Sequence, residues 1–231
     1  MISQPAIYLS ICISKSAEMA SAKPVALVIG ASRGIGRQVA IDLAKNGYAG
    51  MYGTMFMSFI HRIFTTNEKT TTVVVAAKST SDASKTVPFP PDPNSRQSTI
   101  NTVEREIREA SGDATAIPVD TRSVDQINRL VDETVRVYGR LDVLVYNSGA
   151  IWWAAVEDTP VKRFQLMQRI NPEGLYASVQ AALPYFRKNG WRGRIIVVSP
   201  PIYSRFFRGK TAYAMGQWDP SILDYVFYVI L

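Results

Sequence analysis

The feature that most constrains the fold is a glycine-rich segment between a predicted buried strand and a predicted helix. Val25–Ile29 is a continuous apolar run, which is typical of a strand buried on both faces of a parallel sheet. Gly30, Gly34 and Gly36 follow directly, and an apolar helical pattern then continues to the Asn-Gly pair at residues 46–47, which predicts its end. Strand, glycine turn and helix together predict the first half of a βαβ unit.

The same alternation continues along the rest of the chain. Four further strands are predicted at residues 73–77, 114–119, 141–146 and 194–199. Helical patterns lie between them at residues 99–110, 123–138 and, in one long region, 161–187. Alternating strands and helices predict an open, doubly wound parallel sheet of the α/β class, with helices on both faces.

Two local sequence patterns predict where these helices begin or are interrupted. Ser123 and Gln126 form a capping-box pattern, in which each side chain bonds the backbone N–H of the other residue. Pro172 and Pro184 are predicted to interrupt the long helical region, because proline lacks a backbone N–H and clashes with the preceding turn.

Composition excludes several classes of site. The 231 residues include one cysteine, Cys12, and one histidine, His61, so an intrachain disulfide is excluded and no metal site is predicted. Lysine and arginine number 26 against 19 acidic residues, but they are scattered, which favours a solvated basic surface or a phosphate-bearing small ligand over nucleic acid. The apolar segments 6–13 and 51–64 are shorter than the roughly 20 residues of a membrane span. We therefore predict a cytoplasmic protein without a membrane span.

The glycine turn has the composition and placement of a phosphate-binding turn. In such a turn the first glycine permits the sharp bend, the second lets the backbone approach a pyrophosphate, and the third allows close helix–strand packing. The helix N-terminus offers unpaired N–H groups and the positive end of its dipole to the phosphates. The predicted dinucleotide-binding residues of the turn are Gly30, Ser32, Arg33, Gly34, Ile35 and Gly36.

The end of the second predicted strand indicates which nicotinamide cofactor binds. An acidic residue there would bond the ribose 2′-hydroxyl, whereas a basic one accommodates a 2′-phosphate. This chain has Lys78 at that position and Arg33 in the turn, so NADP(H) is predicted; the alternative is that Lys78 only faces solvent. Without the 23 residues of segment 50–72, Lys78 lies 19 residues after Gly36, close to the usual separation of about 20.

These motifs, in this order, resemble the short-chain dehydrogenase/reductase family, whose fold is Rossmann-like. The resemblance covers residues 24–217 apart from segment 50–72, and residues 76–78 (Ala-Ala-Lys) and 199–201 (Ser-Pro-Pro) are most similar to the hydroxysteroid dehydrogenase-like branch. It implies an NADP(H)-dependent oxidoreductase that moves a hydride between the nicotinamide and a carbonyl or secondary alcohol of a small-molecule substrate.

The resemblance also implies roles for individual cofactor-binding residues. Asp120 matches the acid that contacts the adenine ring. Asn147 and Gly149 fall in the family's Asn-Asn-Ala-Gly turn, where this chain has Tyr146 and Ser148 at the other two positions.

Three residues are implied in catalysis. Tyr213 matches the catalytic tyrosine of the Tyr-x-x-x-Lys motif, and Asn171 matches the helix asparagine whose backbone holds a proton-relay water. The family's catalytic serine lies thirteen residues before the tyrosine, which here is Pro200. Ser199 is therefore the nearest substitute, ahead of Ser204.

The position four residues after Tyr213 is occupied by Gln217 instead of the family's lysine. That lysine lowers the pKa of the tyrosine by stabilising the phenolate, and the spacing of four places both side chains on one helix face. Glutamine supplies no charge, so we expect cofactor binding to survive and turnover to fall. The alternatives are a non-catalytic NADP(H)-binding protein and a misspliced fragment.

Three segments are predicted to be foreign to the dinucleotide-binding domain of residues 24–217. They are an N-terminal extension (1–23), an atypical insert (50–72) and an atypical tail (218–231), and the family's C-terminal strands are expected to be missing. We interpret the insert as translated intron sequence, with a surface loop or a membrane-touching flap as the alternative.

Two apolar sets each have two predicted roles. Trp152 and Trp153, after the fourth strand, would either line an apolar pocket or pack locally. Four residues of the long helical region would either pair two copies of the chain in a homo-oligomer or face the chain's own sheet: Leu166, Leu175, Val179 and Leu183.

Overall fold

A computed structural model describes residues 23–46, 71–80, 98–199 and 208–216. Five strands in this part of the chain form one parallel sheet in the order β3-β2-β1-β4-β5. In chain order they are β1 (Val25–Ile29), β2 (Thr72–Ala77), β3 (Asp113–Pro118), β4 (Val143–Tyr146) and β5 (Arg194–Val197). The predicted doubly wound α/β fold is confirmed, and the strand order reverses between β1 and β4.

Helices cover both faces of this sheet. In chain order they are α1 (Gly34–Asn46), α2 (Ile100–Glu109), α3 (Val124–Tyr138), α4 (Val161–Gln168), α5 (Gly174–Lys188) and α6 (Thr211–Met215). Residues of α1 and α2 share one hydrophobic cluster with the sheet, and residues of α3 and α5 share the other. A π-helical turn, Arg169–Glu173, joins α4 directly to α5.

The central strand β1 explains why the sheet is buried on both faces. Ala26 and Val28 point into the cluster with α1 and α2, whereas Leu27 and Ile29 point into the cluster with α3 and α5. No residue of β1 is more than 2 % exposed. A strand with two buried faces needs apolar residues at every position, which is the pattern seen in its sequence.

The predicted capping box at the start of α3 is only half formed in the structure. The Ser123 side chain does accept a bond from the Gln126 N–H, but the Gln126 amide oxygen accepts from the N–H of Asp120 instead of completing the capping box. A complete capping box occurs at Thr99 and Thr102, whose side chains bond each other's backbone N–H groups at the start of α2. Sequence spacing identified the N-cap of α3 but not the partner of Gln126.

The two prolines behave differently from each other. Pro172 lies inside the π-helical turn, so the predicted interruption is there a widened turn and not a break. Pro184 lies inside α5, which continues to Lys188, so the second predicted interruption is wrong. The helix keeps its course because its apolar face, which includes Phe186 beyond the proline, is anchored in the core.

Helix α5 shows which of the two predicted roles its apolar side chains have. Leu175 and Val179 are buried in the core cluster with α3 and the sheet, and Leu183 packs against that cluster. Leu175 and Val179 therefore face the chain's own sheet, and Leu183 is partly buried against the same cluster. Leu166 instead lies on α4, where it lines a surface groove with Lys162.

Several predictions concern residues outside the described ranges. They include Pro200, Ser204, Gln217, the tail, most of the insert and all of the extension except Lys23. Thr72, the last residue of the predicted insert, is the first residue of β2 and pairs with Val25. Its hydroxyl donates to the Asp113 carboxylate over 2.8 Å, so Thr72 is an integral part of the sheet.

Candidate functional site

The candidate site lies where the strand order reverses, at the carboxyl ends of β1 and β4, the position at which open α/β sheets bind ligands. Backbone bonds fix this edge closely. The Gly30 N–H donates to the Ala76 carbonyl over 2.7 Å, and the Asn147 N–H donates to the Ile29 carbonyl over 2.8 Å. The Asn147 side-chain amide then donates to the Gly30 carbonyl over 2.9 Å. Asn147 thus ties the end of β4 to the turn after β1.

The glycines of the turn are required by its geometry. Gly30 has φ +89°, and a Cβ there would lie 2.5 Å from the backbone nitrogen of Ser148. Gly34, with φ +57°, begins α1. A Cβ on Gly36 would overlap the Gly30 carbonyl and the Asn147 amide, so only glycine lets the helix start this close to the strand. The first turn of α1 contains no acidic residue, which leaves its N-terminus suited to an anion.

The other predicted residues of the turn differ in exposure. Ser32 is buried, and its carbonyl accepts a 2.6 Å bond from the buried Ser98 hydroxyl, which anchors the turn to the start of α2. Ile35 is 59 % exposed at the helix N-terminus. Arg33 reaches across to the end of β2, where its guanidinium donates to the Ser79 hydroxyl over 3.4 Å.

Lys78 directly precedes Ser79 in the chain. Its side chain is 69 % exposed, and its ammonium nitrogen lies 3.3 Å from a carboxylate oxygen of Asp120. Lys78 therefore faces solvent but is also ion-paired. The structure thus places the Arg33 guanidinium on the Ser79 hydroxyl after β2, whereas the preceding residue, Lys78, extends its ammonium group to Asp120.

Asp120, after β3, is held mainly by Arg122. Its carboxylate accepts bonds from the Arg122 side chain and from the Arg122 backbone N–H, the latter over 3.1 Å. These bonds, with a smaller contribution from Lys78, keep the pKa of Asp120 well below its usual range in spite of partial desolvation. Two cations thus share one carboxylate, which leaves an excess of positive charge at this edge.

Sequence reasoning missed Ser79, Ser98 and Arg122. Ser79 could have been predicted from its position, because it directly follows Lys78 at the end of a predicted strand. The sequence indicates Arg122 less strongly. A residue two positions after an aspartate is placed to bond that carboxylate. Ser98 lies far from Ser32 in sequence, and no local pattern indicates that contact.

Asn171 lies in the π-helical turn and is tied to the loop after β4. Its side-chain oxygen accepts from the Ala150 N–H over 2.8 Å, and its amide nitrogen donates to the Ala150 carbonyl over 3.1 Å. A Cβ on Gly149 would lie 3.7 Å from the Asn171 oxygen, an ordinary contact, so crowding does not require glycine there. π-Helical turns are frequent at functional sites because they redirect a backbone within a continuous helix.

Tyr213 lies near the two hydrogen bonds that join Asn171 to Ala150, which form the Asn171 clamp. It is 6 % exposed and belongs to a small cluster with Met167 and Ala212, against which Ala150 and Trp152 pack. Ala150 therefore contacts both the Asn171 amide and the Tyr213 cluster. Burial raises the pKa of Tyr213 above its ordinary value.

An aromatic and cationic surface adjoins Tyr213. The ring of Trp153, which is 59 % exposed, meets the Tyr213 ring edge-on at 6.5 Å between centroids. The Lys210 ammonium lies 4.6 Å from the centroid of Trp153. The two tryptophans thus have different roles, because Trp152 packs locally whereas Trp153 presents an apolar surface to solvent.

Ser199 is placed by the sheet. The N–H of Val198 donates to the Tyr146 carbonyl over 2.9 Å, which holds the end of β5 beside the end of β4. Ser199 follows at the same edge and is partly buried. The predicted catalytic residues Ser199, Asn171 and Tyr213 therefore lie two residues after β5, in the π-helical turn and in α6.

Two negative findings apply to residues 23–46, 71–80, 98–199 and 208–216 alone. No group of three or more histidine, cysteine, aspartate or glutamate side chains is arranged to hold a metal ion. No helix among them has the length and apolar content to cross a membrane. The cytoplasmic location stays a prediction.

Comparison with known proteins identifies the family. The family model described as short chain dehydrogenase matches residues 93–216, more than half of the chain. Hydroxysteroid dehydrogenase-like protein 2 of Mus musculus is 32 % identical over 197 residues, which is 84 % of this chain but 33 % of that protein. The chain thus spans about one third of the length of that curated relative.

Solved structures agree with the family match. A short chain dehydrogenase from Mycobacterium thermoresistibile is 30 % identical, with a TM-score of 0.60 over 84 % of this chain and 57 % of that one. A hydroxysteroid dehydrogenase from Escherichia coli is 25 % identical, with a TM-score of 0.57 over 84 % and 60 % of the two chains. The chain therefore belongs to the short-chain dehydrogenases, a family of oxidoreductases, and to their hydroxysteroid dehydrogenase-like branch.

Proposed function

We propose that this chain binds NADP(H) and transfers a hydride between it and the carbonyl or secondary alcohol carbon of a small molecule. The observations that carry the cofactor choice are the contact of Arg33 with Ser79 and the ammonium group of Lys78, the residue before Ser79 at the end of β2. A 2′-phosphate is a dianion with strong acceptor oxygens, so a guanidinium, a hydroxyl and an ammonium group suit it. An acidic residue that would favour NAD(H) is absent from the described end of β2, residues 77–80.

The rest of the turn fits the pyrophosphate. Gly30 and Gly36 let the turn and the start of α1 pack closely on the end of β4, and the N–H groups of Ser32, Arg33, Gly34 and Ile35 at the start of α1 are proposed to bind the phosphates. We assign the adenine contact to Asp120 and the nicotinamide side to Asn147 and Gly149. When bound, the nicotinamide supplies or accepts the hydride.

Tyr213 is the proposed proton donor and acceptor. Carbonyl reduction needs a proton for the substrate oxygen, and a buried tyrosine with a raised pKa carries that proton throughout the neutral range. Alcohol oxidation needs the phenolate, which burial disfavours and which the neutral Gln217 does not stabilise. We therefore propose that reduction is favoured over oxidation and that both are slow.

Ser199 and Asn171 are assigned supporting roles. Ser199, at the end of β5, is proposed to bond the substrate oxygen in place of the family serine. Asn171 bonds both backbone groups of Ala150, which packs against the cluster that contains Tyr213, so it is proposed to set the distance between the cofactor edge and the tyrosine. The exposed face of Trp153 is proposed to contact the apolar part of the substrate.

A second function is favoured by a specific observation. The raised pKa of Tyr213 and the neutral residue at position 217 together disfavour the phenolate, which is the state a base must reach. A chain of this kind keeps its nucleotide site and loses its proton relay. The alternative is therefore a non-catalytic NADP(H)-binding protein.

One experiment separates these functions. The purified chain is titrated with NADPH and NADH by calorimetry and then assayed for reduction of a panel of ketones and aldehydes. We expect NADPH to bind at least tenfold more tightly than NADH, which corresponds to about 1.4 kcal/mol. Tight binding with turnover supports the enzyme, and tight binding without turnover supports the non-catalytic protein. A folded chain that binds neither nucleotide contradicts both.

A further inference from the structure

Tyr146 and Ser148 replace two residues of the family's Asn-Asn-Ala-Gly turn, and the structure brings both into one hydroxyl cluster. The hydroxyls of Ser148 and Thr121 lie 3.2 Å apart, and both side chains oppose the rise in the pKa of the Tyr146 phenol that burial causes. Tyr146 is 2 % exposed, at the last position of β4. The cluster therefore lies under the candidate site, between the loop that follows Asp120 and the loop that leads to Ala150.

The Tyr146 hydroxyl also reaches the π-helical turn. It donates to the carbonyl of Ile170 over 2.5 Å. The next residue is Asn171, whose side chain clamps both backbone groups of Ala150. Two adjacent residues of the turn are thus attached to β4 and its following loop, one through its carbonyl and the other through its side chain.

Gly174 makes this attachment possible. A Cβ at that position would overlap the Tyr146 hydroxyl oxygen and lie 2.9 Å from the Thr121 carbonyl. The tyrosine hydroxyl thus occupies the space that a side chain at position 174 would need if that residue were not glycine. Tyrosine at 146 and glycine at 174 are complementary in shape.

We propose that Tyr146 is a positioning residue that holds the π-helical turn, and through it Asn171, against the end of β4. It acts through the Ile170 carbonyl and contacts neither cofactor nor substrate. Burial raises the pKa of Tyr146 far above its ordinary value, so the phenol remains a hydrogen-bond donor throughout the working range. That this placement serves proton transfer rests on the proposed function; the placement itself does not.

The test is residue-resolved amide hydrogen exchange on the full chain carrying Tyr146→Phe. Ala150 and Gly174 are the probes, because the Ala150 N–H donates to Asn171 and the Gly174 N–H donates across the π-helical turn to Arg169. We expect both amides to exchange about tenfold faster, the effect of losing one buried hydrogen bond. The matched control is Tyr138→Phe, which removes a hydroxyl bonded to Thr115 over 2.5 Å, and it should leave both probes unchanged.

A residue that only fills space gives a different pattern. If Ala150 and Gly174 keep their wild-type exchange rates, or change no more than in Tyr138→Phe, the proposal is overturned. Should Tyr146→Phe not fold, Gly174→Ala provides the same test, because its methyl group displaces the hydroxyl while tyrosine remains; unchanged exchange at Ala150 then overturns the proposal. Where turnover is measurable, Tyr146→Phe should lower kcat and leave the KM for NADPH within about twofold. Faster exchange at both probes in a chain that binds no NADPH supports the positioning role and contradicts the proposed function.

Discussion

The glycine turn and the region around Tyr213 are held by different kinds of contact. The turn is fixed by backbone atoms, as in the bond from the Gly30 N–H to the Ala76 carbonyl, and by space that glycine leaves free. Tyr213 stands on the five-residue helix α6 and contacts a few side chains, one of which is the exposed Trp153. Backbone contacts survive most substitutions, whereas contacts between side chains depend on each residue. The turn, which is the proposed nucleotide half of the site, should therefore tolerate most substitutions other than those at its glycines. The surroundings of Tyr213, which are the proposed proton-transfer half, depend on individual side chains.

The largest effect is expected from filling the space at Gly36. In Gly36→Ala the added Cβ overlaps the Gly30 carbonyl, which is backbone and has little room to move. We expect the free energy of unfolding in urea to fall by roughly 3 kcal/mol and NADPH binding to be lost. In the control Gly149→Ala the Cβ meets only an ordinary contact at 3.7 Å, so stability should change by less than about 0.5 kcal/mol. Equal losses in the two variants would show that the turn is not constrained as described.

The second largest effect is expected from Gln217→Lys. A lysine four residues after Tyr213 in the chain, as in the family motif, is expected to stabilise the phenolate, and correct acid–base catalysis contributes roughly a hundredfold or more to a rate. We expect kcat for NADPH-linked ketone reduction to rise about a hundredfold, with Gln217→Met as the uncharged control. Equal rates for the lysine and methionine variants would contradict our account of the proton relay.

The pH dependence of alcohol oxidation tests the same half of the site. Oxidation requires the phenolate, and burial raises the pKa of Tyr213 above its ordinary value of 10.0. The rate should therefore rise about tenfold per pH unit through the neutral and mildly alkaline range, without a plateau below pH 10. Stopped assays with NADP⁺ and a secondary alcohol measure this slope. A plateau near pH 7 would mean that another group is the base.

The smallest effect is expected from Lys78→Ala, which tests the nucleotide half. Lys78 is largely exposed and shares the site with Arg33, so its loss should weaken NADPH binding about fivefold and leave NADH binding unchanged. Calorimetry measures both affinities. Lys45→Ala, in the last turn of α1 and away from its N-terminus, controls for net charge. If NADPH and NADH weaken equally, Lys78 does not contact the 2′-phosphate.

Much of the fold could be predicted because its signals are local. A strand buried on both faces is apolar at every position, and a turn with positive φ needs glycine, so Val25–Ile29 and Gly30 indicate their own structure. The predicted strands match the observed ones to within two residues at each end. Alternation of strands and helices then leaves few topologies, of which the doubly wound sheet is the common one.

Side-chain partners that lie far apart in sequence were not predictable in this way. The bond from Ser98 to Ser32, the contact of Arg33 with Ser79 and the clamp of Asn171 on Ala150 each join different elements. Local sequence patterns do not indicate which elements will pack against each other.

The sequence alone thus predicted the parallel sheet and the glycine turn, and it proposed candidate site residues, although not Ser79, Ser98 or Arg122. Tertiary structure decided that Leu175 and Val179 face the sheet, that Pro184 leaves α5 intact, and that Tyr146 bonds the π-helical turn. Periodicity and backbone sterics act within a few residues, and so a sequence displays them directly. Contacts between distant segments exist only after the chain has packed, because only packing brings those segments together.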